Sequence, residues 1–205
     1  MLNTINNPLT LSFIIGLIIH LTFIKYWPIL FNFGYDDNEG IQKLHRTKAL
    51  RIGSIPIVCS LIVSTLIFFK PNLWDLFISS LILPILLIGL LEDFTKNITV
   101  KLRLIICFFS VTSLVILNEI NLTNIDLPYI NNLFQNYYFS VIFTILGVII
   151  CINSINFIDG INGLASGFGI ITFIAISFLA NSINNEPLQT ISLSIAGILI
   201  SFWII

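Results

Sequence analysis

Charged residues are scarce in this chain. They make up 9% of its 205 residues, whereas hydrophobic residues make up 57%. Because a soluble domain carries about 25% charged residues, this composition excludes an ordinary soluble globular protein, and we expect no nucleic-acid partner. The composition predicts an integral membrane protein of the all-α class with the lipid bilayer around it.

Cysteine is also scarce, and the N-terminus has no basic leader. The three cysteines, Cys59, Cys107 and Cys151, lie inside apolar runs and do not have the spacing of metal ligands, so we assign them no function. The N-terminal stretch "MLNTINNP" has no basic residue and leads into an apolar run without a small-residue cleavage site. This pattern predicts a retained first helix and not a cleaved signal peptide.

Long apolar runs fill the chain instead. A spanning helix needs about 20 apolar residues, and short polar gaps divide the sequence into seven such runs. The predicted spans are residues 9–31, 52–69, 73–91, 101–118, 137–155, 163–181 and 188–205. We therefore expect a polytopic transmembrane helix bundle of about seven spans, forming a single transmembrane domain over residues 1–205.

The basic residues are distributed unevenly between the connectors. Seven of the nine lie in the first and third connectors: Lys43, Arg46, Lys48, Arg51, Lys96, Lys101 and Arg103. Because cytoplasmic loops carry the excess of Lys and Arg, we expect cytoplasmic loops at about 32–51, 92–100 and 156–162 and an N-terminus outside. Three polar regions would then share the cytoplasmic face.

The third connector, "GLLEDFTKNITVKLR", begins with two adjacent acids. Glu92 and Asp93 end an apolar run, and a carboxylate at the centre of a membrane helix costs about 2.5–3.5 kcal/mol. One interpretation is that both lie among the lipid headgroups and only end a helix. The other is a polar cleft that binds a cation, since paired carboxylates suit Mg²⁺.

The fifth connector, "NSINFIDGINGLASG", spaces its polar residues three apart. On a continuous helix Asn153, Asn156 and Asp159 would lie on one side, and Gly160 and Gly163 would permit close backbone approach or a break. This stripe is either a hydrogen-bonded seam between helices or one wall of a polar cleft. The first connector, "EGIQKLHRTKALRIGSI", either serves topology alone or binds phosphate groups.

In their order along the chain, the motifs of the first, third and fifth connectors resemble those of the polyprenyl-phosphate N-acetylhexosamine-1-phosphate transferases. The resemblance is greatest to the glycosyltransferase family 4 members of O-antigen assembly. The resemblance to phospho-N-acetylmuramoyl-pentapeptide transferase is weaker, because its first loop has a different pattern. The resemblance implies a Mg²⁺-dependent transfer of N-acetylhexosamine-1-phosphate from a UDP-sugar to undecaprenyl phosphate in the inner membrane, with release of UMP.

The resemblance also implies roles for individual residues. It assigns catalysis to Glu92, Asp93 and Asp159, and magnesium binding to Asp93, Asn156 and Asp159. It assigns substrate binding to seven residues: Lys43, His45, Arg51, Lys101, Asn153, Asn156 and Asn162. Arg103 is a further candidate for substrate binding.

Several departures from the family pattern accompany these matches. The acidic pair is usually Asp-Asp, and here Glu92 is one methylene longer; Asn162 replaces a common Asp. Family members continue with further helices that carry a Gly-Asp motif, so we expect a C-terminally truncated chain. The alternatives are a non-catalytic polytopic protein or scaffold and, less favoured, a transporter, whose site would lie at the midplane.

Overall fold

The chain is helical throughout the part that its structure describes. A computed structural model describes residues 7–30, 53–95, 97–128, 130–158 and 163–205. These ranges contain nine helices: α1 (Pro8–Leu30), α2 (Ser54–Phe68), α3 (Leu73–Ser80), α4 (Leu83–Thr95), α5 (Val100–Leu117), α6 (Asn131–Phe134), α7 (Tyr137–Ile158), α8 (Leu164–Ser182) and α9 (Glu186–Ile204). The all-α prediction is confirmed.

Six segments of the described chain are long and apolar enough to cross a membrane. They are α1, the α3–α4 pair, α5, α7, α8 and α9. The remaining predicted span, 52–69, corresponds to α2, which has 15 helical residues among those described. The protein is therefore a multi-pass helical membrane protein, as the apolar runs predict.

The helices form two compact units. One contains α1, α2, α8 and α9, and the other contains α3 to α7. The expectation of a single domain over residues 1–205 stays a prediction.

Small residues bring α1 and α9 together in the first unit. Ser12, Gly16 and His20 form a buried stripe at four-residue intervals along α1. A Cβ atom on Gly16 would collide with Ser201 of α9, and one on Gly197 would collide with the α1 backbone. Since lipid supplies no hydrophobic drive between helices, such close approach is what allows van der Waals packing to hold them.

His20 lies inside this small-residue contact. Its side chain is 2% exposed, its Nδ1 lies 2.6 Å from the carbonyl oxygen of Gly16 and 3.3 Å from Ser201 Oγ, and its ring packs on Phe202. A histidine alone in an apolar run is here a packing residue of the helix interface.

A turn at Leu81 and Ile82 divides the predicted span 73–91 into α3 and α4. Pro84 is the second residue of α4, where its missing N–H is not needed. In a continuous helix its ring would clash with the carbonyl group of Ser80, four residues earlier. The proline therefore ends α3 and begins a new helix.

The core of the second unit lies between α5 and α7. Cys107, Val111 and Val115 follow one face of α5 and pack with Ile145 of α7. After α5, the backbone N–H of Leu122 donates to Thr144 Oγ1 at 2.9 Å near the start of α7. The end of α5 thus lies beside the start of α7, and the two helices run antiparallel.

Candidate active site

An ion pair joins the end of α4 to the start of α5. Nη1 of Arg103 donates to Oε1 of Glu92 at 3.1 Å and to Oε2 at 3.0 Å. The Arg103 side chain is 19% exposed and that of Glu92 is 37% exposed. Arg103 is therefore the more buried partner. Because of this burial, water screens the attraction between the two charges less than it would on an open surface.

The residues around the pair form a helical hairpin of α4 and α5. Thr95 Oγ1 donates to the carbonyl oxygen of Leu91 in the last turn of α4. Thr99 caps α5 by accepting from the backbone N–H of Leu102 at 3.3 Å, as expected for a threonine at this position. Glu92 lies one turn before the end of α4 and Arg103 one turn into α5, so the hairpin places them side by side.

The acidic pair is helical. α4 continues to Thr95 and α5 begins at Val100, so Glu92 and Asp93, at the start of the loop predicted at about 92–100, belong to the last turn of α4. Asp93 is partly buried like Glu92, and it makes an interaction of its own. The two acids thus occupy adjacent positions on the last turn of a membrane helix, about 100° apart around its axis.

The asparagines of the fifth connector lie on the last turns of α7. α7 is continuous to Ile158, so residues 156–158 of the loop predicted at about 156–162 are helical. Asn153 is partly buried and its Nδ2 donates to the carbonyl oxygen of Ile149 at 2.8 Å. Asn156 is exposed.

Helix direction brings these groups to one end of the second unit. The α3–α4 pair, α5 and α7 are consecutive candidate spans, so the end of α4, the start of α5 and the end of α7 lie on the same membrane side. Lys101 is exposed in the first turn of α5. The predicted site residues of this unit, Glu92, Asp93, Lys101, Asn153 and Asn156, are all at this polar end.

Five other predicted site residues lie outside the described residues. They are Lys43, His45, Arg51, Asp159 and Asn162. Their assignments stay predictions.

The donor chemistry of the polar end fits a magnesium ion held together with substrate. Among the described residues, no group of three or more His, Cys, Asp or Glu side chains could hold a metal. Mg²⁺ usually takes only one or two protein carboxylates, with substrate phosphates and water completing its shell. Asp93 and Asn156 are the described residues of the predicted metal set.

The ion pair is the feature that sequence reasoning missed. Arg103 was only a further phosphate candidate, and Glu92 was assigned to catalysis without a partner. The available signal was the position of Arg103 as the single arginine inside an apolar run, eleven residues after Glu92 across a short polar turn. A charge at membrane depth calls for a partner of opposite sign.

A family model for "Glycosyl transferase family 4" matches residues 74–205, which include all of this polar end. The chain belongs to glycosyl transferase family 4. This match confirms the family that the three motifs predicted.

This glycosyl transferase family 4 chain is similar to several curated proteins. A phospho-N-acetylmuramoyl-pentapeptide-transferase of Thermoanaerobacter sp. (strain X514) is 27% identical, with 98% of this chain and 67% of the relative covered. A putative UDP-N-acetylglucosamine–dolichyl-phosphate N-acetylglucosaminephosphotransferase of Sulfolobus acidocaldarius is 24% identical, with 95% and 62% covered. A probable undecaprenyl-phosphate N-acetylglucosaminyl 1-phosphate transferase of Bacillus subtilis is 22% identical, with 95% and 54% covered.

This family 4 chain therefore spans between about half and two thirds of the length of these relatives. No solved structure matches it significantly.

Proposed function

We propose that this protein transfers N-acetylhexosamine-1-phosphate from a UDP-sugar to undecaprenyl phosphate, with release of UMP, and so begins an O-antigen or related cell-envelope glycan. The observation that carries the proposal is the partly buried cluster of Glu92, Asp93 and Arg103 at the end of a candidate membrane span. The activities for which the relatives are named, all transfers of a phosphosugar, support the same chemistry.

In the proposed reaction an oxygen of undecaprenyl phosphate attacks the phosphorus that carries the sugar. A new P–O bond forms there, the P–O bond to the bridging oxygen of the diphosphate breaks, and UMP leaves with that oxygen and the bonding electron pair. A proton on the attacking phosphate would pass to a carboxylate, for which Asp93 is the candidate. Such a transfer asks mainly for positioning and for neutralisation of charge.

The protein's own residues supply these requirements at its polar end. Lys101 and Arg103 bring positive charge to the start of α5, and the predicted residues Lys43, His45 and Arg51 would add more. Asn153 and Asn156 offer amide groups to the nucleotide. The basic connectors favour a cytoplasmic position for this end in the inner membrane.

Asp93, Asn156 and the predicted ligand Asp159 would hold Mg²⁺. When bound, the ion neutralises phosphate charge in the transition state.

The test is an exchange assay on the protein expressed from its complete gene and reconstituted in nanodiscs. Labelled UMP should enter UDP-N-acetylglucosamine, or another UDP-N-acetylhexosamine, only in the presence of undecaprenyl phosphate and Mg²⁺. Asp93→Asn should lower this exchange by a factor on the order of 100 or more. Glu186→Gln, a change at the exposed start of α9, is the matched control and should keep the exchange rate.

Two results would contradict the proposal at different levels. A folded wild-type protein without exchange for any UDP-N-acetylhexosamine would contradict the function. A wild-type exchange rate in Asp93→Asn would leave the function and contradict the assignment of the site.

A further inference from the structure

The Glu92–Arg103 pair indicates that the adjacent acids Glu92 and Asp93 have different functions. We propose that Glu92 is a positioning residue, which holds the Arg103 guanidinium so that its Nε and Nη2 edge binds phosphoryl oxygens. This inference rests on the proposed function and narrows it. The ligand class is a phosphate or diphosphate group, carried either by the nucleotide or by the polyprenyl lipid.

The first observation is which nitrogen of Arg103 the carboxylate occupies. Both oxygens of Glu92 contact Nη1, at 3.1 and 3.0 Å. Nε and Nη2 take no part in this pair. Their N–H groups point in parallel along the other edge of the guanidinium plane, and a pair of parallel donors is the fork that matches a carboxylate or phosphate.

The second observation is that Arg103 Nε is buried without a hydrogen-bond partner among the described residues. Leaving a buried donor unsatisfied is costly, and more so when the group is charged. A phosphoryl oxygen on this edge would satisfy Nε. The same residue that Glu92 fixes is thus the one with an unused donor.

The third observation is the position of Arg103 on its helix. It lies in the first turn and a half of α5, where the helix dipole is positive and a cation is unfavourable. Lys101 lies in the same turn. Glu92 offsets part of this positive charge, and an anion would offset the rest, as phosphate groups do at helix N-termini.

The same contacts separate Glu92 from the magnesium site. Both of its carboxylate oxygens lie within about 3 Å of a guanidinium nitrogen, and a carboxylate shared with a cation is a weaker metal ligand because the two cations repel. Asp93 is then the metal-facing acid of α4. Glu92 acts on the substrate only through Arg103.

A binding experiment on the reconstituted protein tests this role. The probes are UDP in solution and undecaprenyl phosphate in the nanodisc lipid, each titrated with Mg²⁺ and in metal-free buffer. Glu92→Gln and Arg103→Lys should each weaken the same ligand by about tenfold or more in both buffers, since each removes a charge-assisted contact. The ligand that is weakened identifies the source of the phosphate, and Glu186→Gln is the control.

A swapped pair, Glu92→Arg with Arg103→Glu, separates positioning from stability. It keeps opposite charges at the two positions but moves the cation to α4. We expect thermal stability close to that of the wild type together with lost ligand affinity. Recovery of affinity along with stability would overturn the proposal.

The Arg103 side chain also gives a direct signal. Arginine is rare in these 205 residues, which contain three, and the ¹⁵N Nε resonance that is lost in Arg103→Lys is assigned to Arg103. This resonance should shift on ligand addition. In the free protein its N–H should exchange with water faster in Glu92→Gln than in the wild type.

The outcomes distinguish this inference from the proposed function. Absence of binding of both ligands by the wild type contradicts the function, whereas equal Nε exchange in wild type and Glu92→Gln contradicts positioning. Weakened binding of Glu92→Gln only in Mg²⁺ would make Glu92 a metal ligand and overturn the inference. Unchanged affinity with a lower unfolding temperature would make the pair purely structural and overturn it as well.

Discussion

Gly163→Ala should destabilise the protein because of both its backbone and its surroundings. Gly163 precedes α8 with φ 73° and ψ −3°, in the left-handed region. A Cβ atom in that conformation costs about 1–2 kcal/mol. This is the glycine that the motif "NSINFIDGINGLASG" places just before its second helix.

Trp203 of α9 adds to that cost. A Cβ atom on Gly163 would lie 2.9 Å from the indole Nε1 and 3.2 Å from Cδ1. The indole would have to move, but it is 61% exposed and so can shift at a lower cost than a side chain packed in a core. We therefore expect Gly163→Ala to lower the free energy of unfolding by about 1–3 kcal/mol, most of it from the backbone.

Gly167, four residues later in the same motif, is the matched control. It is inside α8, and among the described residues outside its own helical turn nothing lies within 4 Å of a Cβ atom there. Gly167→Ala should therefore be neutral or stabilise by up to about 1 kcal/mol through helix propensity. Reversible unfolding in mixed detergent micelles, followed by tryptophan fluorescence, measures both variants.

A double variant divides the two causes. Trp203→Leu shortens the opposing side chain, so Gly163→Ala should cost less in that background, and the cost that remains should be the backbone contribution. Equal stability of Gly163→Ala and Gly167→Ala would refute the reasoning. An unchanged cost in the Trp203→Leu background would refute the part that rests on contact.

Two further substitutions test the packing of each unit. Gly197→Ala should lower thermal stability in detergent, because its Cβ would meet the α1 backbone at Leu9 and Phe13. Gly147→Ala should not, because no described residue beyond its own helical turn lies within 4 Å of a Cβ atom there, and equal melting temperatures would contradict the close contact at Gly197. Phe134→Ala should cost about 3–5 kcal/mol in unfolding free energy, since the ring is 2% exposed and packs on two other phenylalanine rings; a cost below 1 kcal/mol would contradict its place in the core.

The helices could be predicted from the sequence because membrane spans need long apolar runs. The predicted span 137–155 corresponds to α7 and the predicted span 163–181 to α8, with their ends shifted by a few residues. Composition alone does not predict the helix break at Pro84. The apolar run continues through this residue, but a continuous α-helix does not. The break between α3 and α4 follows from the missing N–H and the proline ring, which a count of apolar residues does not register.

The loop boundaries were less predictable than the spans. The loop predicted at about 92–100 begins with Glu92 and Asp93, and α4 continues through both acids to Thr95. Arg103 compensates Glu92, so the helix can retain an acid near its end. Pairing across a turn depends on how the two helices pack against each other. The sequence shows only that the two charges are eleven residues apart.

The candidate site was predictable as a set of residues but not as a set of contacts. Chemistry selected the acids, the amides and the basic residues, and alternating spans brought the described ones to the same end of their unit. The Nδ2 group of Asn153 donates to the carbonyl oxygen of Ile149. The motif predicts a side-chain amide that binds a ligand with both its nitrogen and its oxygen, but the nitrogen already has this backbone partner. Such local bonds are decided by rotamer and helix geometry, which three-residue spacing leaves open.

The unusual glutamate and the ion pair explain each other. The resemblance leads one to expect Asp at position 92, and Glu92 has one more methylene with which to reach from α4 to the guanidinium on α5. Its two oxygens meet Nη1 at nearly equal distances, 3.1 and 3.0 Å. An aspartate on the same helical turn would end short of Arg103, unless α4 and α5 moved closer together. We therefore attribute the departure from Asp-Asp to the arginine, and infer that Glu92 and Arg103 function as one unit beside Asp93.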